Sequence, residues 1–165
     1  MSTLVLGIGN TLLSDEGIGV HVTRYLSDHH GPLPDTEFLD GGTLSFTLAA
    51  SIENADNLIV IDATQLNEAP GSVRAFVGDA MDTFLTGHSK RSVHEVGLMD
   101  LLSIATLTGR LPGKRALIGI QPHSMDWGEH PSAAVEAAIP MASDIALQLI
   151  NEWKTQEYKA QEWQA

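Results

Sequence analysis

The run Leu58-Ile-Val-Ile61 constrains the fold more than any other segment: it is apolar throughout, mostly β-branched, and ends in Asp62. A strand with no polar alternation is covered on both faces, as strands of a parallel sheet are. Two further runs behave alike. Thr3-Leu-Val-Leu-Gly-Ile8 leads into Gly9-Asn10, and Arg115-Ala-Leu-Ile-Gly-Ile120 leads into Gln121-Pro122. Thr36–Leu39 suits a shorter strand ending in the turn Asp40-Gly-Gly-Thr43, while Ser72–Val77 alternates like an edge or antiparallel strand.

Helical patterns fill the intervals. From Gly17 to Ser27, Ile18, Val22 and Leu26 recur at helical spacing behind Ser14-Asp15, a suitable N-cap. Leu44–Ile52 is helical, as is Glu95–Leu107 through the face Val96, Leu98, Met99, Leu102 and Leu107. Ser132–Trp153 is mostly helical, and Pro140 must kink it or start its second half. Met81–Arg91 reads as loop with a short helical turn, and Lys154–Ala165 as a frayed extension without an apolar stripe. Alternating strands and helices predict one α/β domain, a twisted, mostly parallel sheet with helices on both faces. Its core spans 3–153, and 154–165 is a C-terminal extension.

Composition narrows the function. The 165 residues hold no cysteine, so disulfides, thiolate metal sites and a cysteine nucleophile are all excluded. A net charge of −12, from 9 basic and 21 acidic residues, argues against nucleic acid as a partner. The only dense basic patch is Lys90-Arg91. No run approaches the ~20 apolar residues that span a bilayer, and the N-terminus lacks the pattern of a signal peptide. The expectation is a soluble, cytoplasmic protein with no membrane partner.

In open α/β sheets the functional crevice lies beyond the carboxyl ends of the strands. That rule selects Gly7–Glu16, Asp40–Thr43, Asp62–Thr64 and Gly119–His123. Established motifs fail there. Gly7-Ile-Gly9-Asn-Thr-Leu12 lacks the third glycine of a dinucleotide fingerprint, there is no phosphate loop, and no Gly-x-Ser-x-Gly elbow occurs. His94-Glu95 opens like a zinc-protease helix, but Leu98 replaces the second histidine. What remains is Glu16, Asp62 and His94, two carboxylates and an imidazole able to hold a divalent metal if the fold brings them together. Each has an ordinary explanation too: Glu16 favours a helix dipole, Asp62 and Asp40 cap a helix or turn, and His94 bonds a neighbour. His123, beside Gln121-Pro122, is a further candidate for lining the site.

Taken in order, Leu6-Gly-Ile-Gly-Asn-Thr-Leu-Leu-Ser-Asp-Glu-Gly-Ile-Gly19, Asp40-Gly-Gly-Thr43, Ile61-Asp-Ala63, His94-Glu-Val-Gly-Leu-Met-Asp-Leu-Leu102 and Gly119-Ile-Gln-Pro122 resemble the maturation endopeptidases of nickel–iron hydrogenases. The resemblance runs from about Thr3 to Trp153, and the motifs are specific as a set rather than singly. Many members carry Asp-Asp-Gly where this chain has Asp15-Glu16-Gly17. The resemblance implies an enzyme that trims the C-terminus of the hydrogenase large-subunit precursor once nickel is installed, with that nickel as recognition signal. It implies Glu16, Asp62 and His94 as the metal-contacting, catalytic residues, with Asp40 also needed for cleavage. Nickel would arrive with the precursor. Whether it polarises the scissile carbonyl, or only positions the precursor while a carboxylate acts as base, stays open, as does the oligomeric state. The alternative is a non-catalytic nucleotide- or metal-binding module of the same topology.

Overall fold

In the computed structural model, which describes residues 1–87 and 93–162, five strands form one sheet in the order β2-β1-β3-β5-β4. β1 (Thr3–Gly7), β2 (Thr36–Asp40), β3 (Asn57–Ala63) and β5 (Lys114–Ile120) are parallel, and β4 (Val73–Val77) closes one edge antiparallel to β5. The expected single α/β domain with a mostly parallel sheet is therefore present. Every residue of β3 is buried, as its unbroken apolar run requires.

Alternate strand residues feed two apolar layers. Val5, Ile59, Ile61 and Ile118 pack beneath α1 (Ile18–His30) and α6 (Ile139–Glu162) through Ile18, Val22, Ala142, Ala146 and Ile150. Leu4, Leu6, Leu58 and Val60 face the other way. They meet Ile52 of α2 (Ala49–Glu53), Met81 and Leu85 of α3 (Asp79–Gly87), and Leu98 and Leu101 of α4 (Val93–Leu107). Gly19 lets α1 lie directly on the sheet, since a Cβ there would stand 2.0 Å from the Ile61 carbonyl oxygen.

Several expectations need correction. Residues 79–87 are a helix rather than loop, because Met81 and Leu85, four apart, both reach the core. Lys90-Arg91 lies outside the described residues. Leu107, assigned to the apolar face of α4, is exposed. Pro140 does start the second half of the C-terminal helical region: α5 (Ala133–Glu136) precedes it, and α6 then runs on to Glu162. Thus 154–162 is not frayed. Glu157 accepts a hydrogen bond from the buried Asn57 Nδ2 at 3.0 Å and lies 3.7 Å from the Met1 ammonium, while Lys154 Nζ donates to the Pro34 carbonyl. The stretch Ala133–Glu162 is long and apolar enough to cross a membrane. Its Ala142, Ala146, Leu149, Ile150 and Trp153 are instead buried in the core.

Candidate active site

From β1 the chain passes outward to β2, and from β2 it returns to β3 on the other side of β1. The carboxyl ends of β1 and β3 thus flank a topological switch point, where a doubly wound sheet opens a crevice. Asp62, the penultimate residue of β3, lies on one side. Glu16 lies on the other, in the 3-10 turn Ser14–Gly17 that enters α1. Gly9 makes that turn possible: its φ of +137° is open to glycine, and a Cβ there would sit 1.8 Å from the Glu16 carbonyl oxygen. His94 arrives from the first turn of α4, on the opposite layer.

The three meet. His94 Nε2 is 3.0 Å from Glu16 Oε1, and His94 Nδ1 is 3.4 Å from Asp62 Oδ1. His94 and Asp62 are buried, and Glu16 is partly so. The Asp62 carboxylate raises the His94 pKa above its ordinary value, burial opposes this, and the charge of Glu16 adds to the rise. The imidazole therefore bridges the carboxylates, each ring nitrogen facing one. Among the described residues no three such side chains already aim at one common centre. Seating a cation between all three requires the ring to give up its proton and turn. Chemically, the cluster can shuttle a proton or offer a cation two oxygens and a nitrogen.

Asp15 is not the N-cap its position suggests. It is fully buried, and its carboxylate accepts the N–H groups of His123 and Ser124 at 2.8 Å each, the Ser132 N–H at 2.6 Å and the Ser132 hydroxyl at 2.8 Å. One carboxylate thereby ties the loop after β5 to the turn carrying Glu16. Sequence reasoning missed this residue. The only signal for it was a carboxylate inside a strand-end loop, which serves equally for a cap.

Asp40 stands apart. Its Oδ2 pairs with Arg24 at 2.9 Å, its Oδ1 accepts the Gly42 N–H at 3.0 Å, and the side chain is exposed. Its turn still borders the crevice, because the Gly9 N–H donates to the Gly42 carbonyl at 2.7 Å. Asn10 Oδ1 accepts the Leu12 N–H at 3.0 Å and so shapes the first loop. Gln121 is buried and holds the segment after β3 through its Oε1, which accepts the Leu66 N–H at 2.7 Å. The His123 side chain is exposed, and its backbone bonds Asp15. Trp153 is buried, whereas Trp127 is exposed.

Fold and site define a doubly wound α/β protein that gathers two carboxylates and an imidazole at its switch point. The family model described as "Hydrogenase maturation protease" matches residues 20–149, and the chain belongs to that family. It is a hydrolase of the protease class, which sets aside the non-catalytic module. It is 38% identical over 154 residues to the hydrogenase 2 maturation protease of Escherichia coli, covering 92% of each chain. It is also 38% identical over 151 residues to the hydrogenase expression/formation protein HupD of Bradyrhizobium diazoefficiens, covering 91% of this chain and 78% of that one. The solved structure of the hydrogenase maturating endopeptidase HybD from E. coli superimposes with a TM-score of 0.85 at 36% identity, over 92% of this chain and 93% of that one.

Proposed function

We propose that this chain removes the C-terminal segment of a nickel–iron hydrogenase large-subunit precursor, acting in the cytoplasm on precursor that already carries nickel. One observation carries the reading. Glu16, Asp62 and His94, remote in sequence, converge within hydrogen-bonding distance at the switch-point crevice of a family whose members are proteases.

The nickel belongs to the substrate. Two carboxylates and a neutral imidazole suit a borderline cation that brings further ligands of its own. Glu16, the most accessible of the three, is the first group a docked metal would meet. Asp62, buried at a strand end, supplies charge that offsets a cation. His94 must release its proton before its nitrogen can serve the metal. A metal so held orients the scissile bond and draws electron density from its carbonyl, or lowers the pKa of an attacking water.

The test uses purified precursor with and without nickel, with the released peptide followed by mass spectrometry. Cleavage is expected of the nickel-loaded form alone. Equal cleavage of the nickel-free precursor would remove nickel as the recognition signal, and no cleavage of either would remove the reading.

A further inference from the structure

Three loops surround the Glu16, Asp62 and His94 cluster, and each holds an apolar side chain in solvent. Leu12, after β1, is 50% exposed; Phe46, after β2, 75%; Met125 and Trp127, after β5, 46% and 82%. Single exposed apolar residues need no explanation, but an indole left almost wholly in water beside a reactive crevice is informative.

The backbone beneath these side chains is fixed. Leu13 and Gly128 form a parallel bridge, with the Gly128 N–H donating to the Leu12 carbonyl at 2.9 Å and the Ser14 N–H to the Gly128 carbonyl at 2.8 Å. Ser14 Oγ donates to the Asp126 carbonyl at 2.7 Å, and a Cβ on Gly128 would stand 2.8 Å from that same Oγ. Asp15 then anchors both ends of the second loop, at His123-Ser124 and at Ser132. The bridge between Leu13 and Gly128 brings Leu12 and Trp127, each one residue before a bridged partner, onto neighbouring backbone, and both side chains are exposed. Leu12 and Trp127 therefore form an apolar ledge on a backbone already ordered. Such a ledge loses little conformational entropy on contact, the condition under which a tryptophan becomes a binding hot spot.

We infer that the ledge of Leu12 and Trp127, continued by Met125, seats the apolar stretch of precursor chain next to the bond to be cut. The inference rests on the peptidase reading above and adds where the polypeptide lies. Leu12 and Glu16 share one loop, four residues apart. An extended chain advances about 3.3 Å per residue, so a peptide bond brought to Glu16 carries its next few residues across the ledge. Phe46, also exposed, follows four residues after Gly42, whose carbonyl accepts the Gly9 N–H and joins that segment to the first loop. Contact with apolar side chains suits a partner for a protein of net charge −12, because it needs no matching basic patch.

The test measures cleavage of nickel-loaded precursor over a range of precursor concentrations, using wild type, Leu12→Ser, Trp127→Ala and Trp127→Phe. Both positions are exposed, so the variants should melt with wild type. Leu12→Ser and Trp127→Ala are expected to raise the half-saturating concentration by about tenfold or more, and Trp127→Phe to recover most of that loss. Half-saturation unchanged in Leu12→Ser and Trp127→Ala, or a loss confined to the rate at saturation, overturns the inference. A wild-type dimer that Trp127→Ala dissociates overturns it too, by giving the ledge to a second copy of the chain. If wild type cleaves and the variants match it, the peptidase reading stands without this surface. If wild type cleaves nothing, both fall.

Discussion

Asp15 accepts the backbone N–H and the hydroxyl of Ser132 at 2.6 and 2.8 Å, although 117 residues separate them. Burial pushes the Asp15 carboxyl up, but bonds from Ser124, His123 and Ser132 together outweigh it, so the pKa lies below its usual value. A depressed folded pKa contributes stability above the unfolded value of 3.8, and that stability is lost as pH falls through the folded pKa. Asp15→Asn presents an amide to donors and should cost about 2–4 kcal/mol at neutral pH. The gap to wild type should narrow below pH 3.8. Urea denaturation at a series of pH values checks both, and a gap independent of pH would contradict the account.

On the proposed function, His94→Ala should abolish cleavage of nickel-loaded precursor, because it removes the nitrogen proposed to meet the metal and the group that bridges the carboxylates. Stability should fall by about 1–3 kcal/mol, since Glu16 and Asp62 are left facing each other across a partly buried gap. Asp62→Asn keeps the shape, loses the charge and should be equally inactive. Glu16→Gln should be comparable or milder, because Glu16 is the most accessible of the three. Circular dichroism confirms the fold of each variant. Wild-type cleavage by His94→Ala would end the assignment.

The raised pKa of His94 sets opposite pH trends for stability and activity. Stability from the protonated ring is fully present below the unfolded value of 6.5 and is lost as pH rises through the folded pKa. A metal needs the neutral ring, so cleavage should rise over that same interval. In Asp62→Asn, with the chief cause of the rise removed, the stability trend should move to lower pH. Melting temperature and initial rates on the same samples test this. Parallel trends would show that a different group titrates.

Strands β3 and β5 were legible because their apolar runs are unbroken, and Glu16 and Asp62 stood out because they lie in the segments at strand carboxyl ends. Their meeting was not legible from spacing. It depends on β1 pairing with β3, a register set by the whole sheet. Met81–Arg91 read as loop with a short helical turn because, of its helical residues up to 87, only Met81 and Leu85 are buried. Asp15 was misread for a different reason. A short acidic residue at a helix start serves equally as a cap or a buried anchor, and the donors that decide between them lie more than 100 residues away.

The same physics governs the last segment of α6. Residues 154–162 lack a continuous apolar stripe, yet the chain outside the helix holds them in place. Glu157 reaches Asn57 Nδ2 and the Met1 ammonium, and Lys154 reaches the Pro34 carbonyl. Truncation after Trp153 leaves Trp153 itself in the core but removes these contacts. The buried Asn57 amide keeps only its 3.3 Å bond to Thr3 Oγ1. Each lost hydrogen bond is worth about 0.5–1.5 kcal/mol, and the 3.7 Å contact to the N-terminus adds little because the ammonium is exposed. The truncated chain should therefore fold with the sheet intact, melt several degrees lower, and cleave precursor at the wild-type rate, since these contacts lie at the amino ends of the strands, away from Glu16 and His94. An unchanged melting temperature would restore the picture of a frayed extension, and loss of cleavage in a folded truncated chain would give the helix end a part in the reaction.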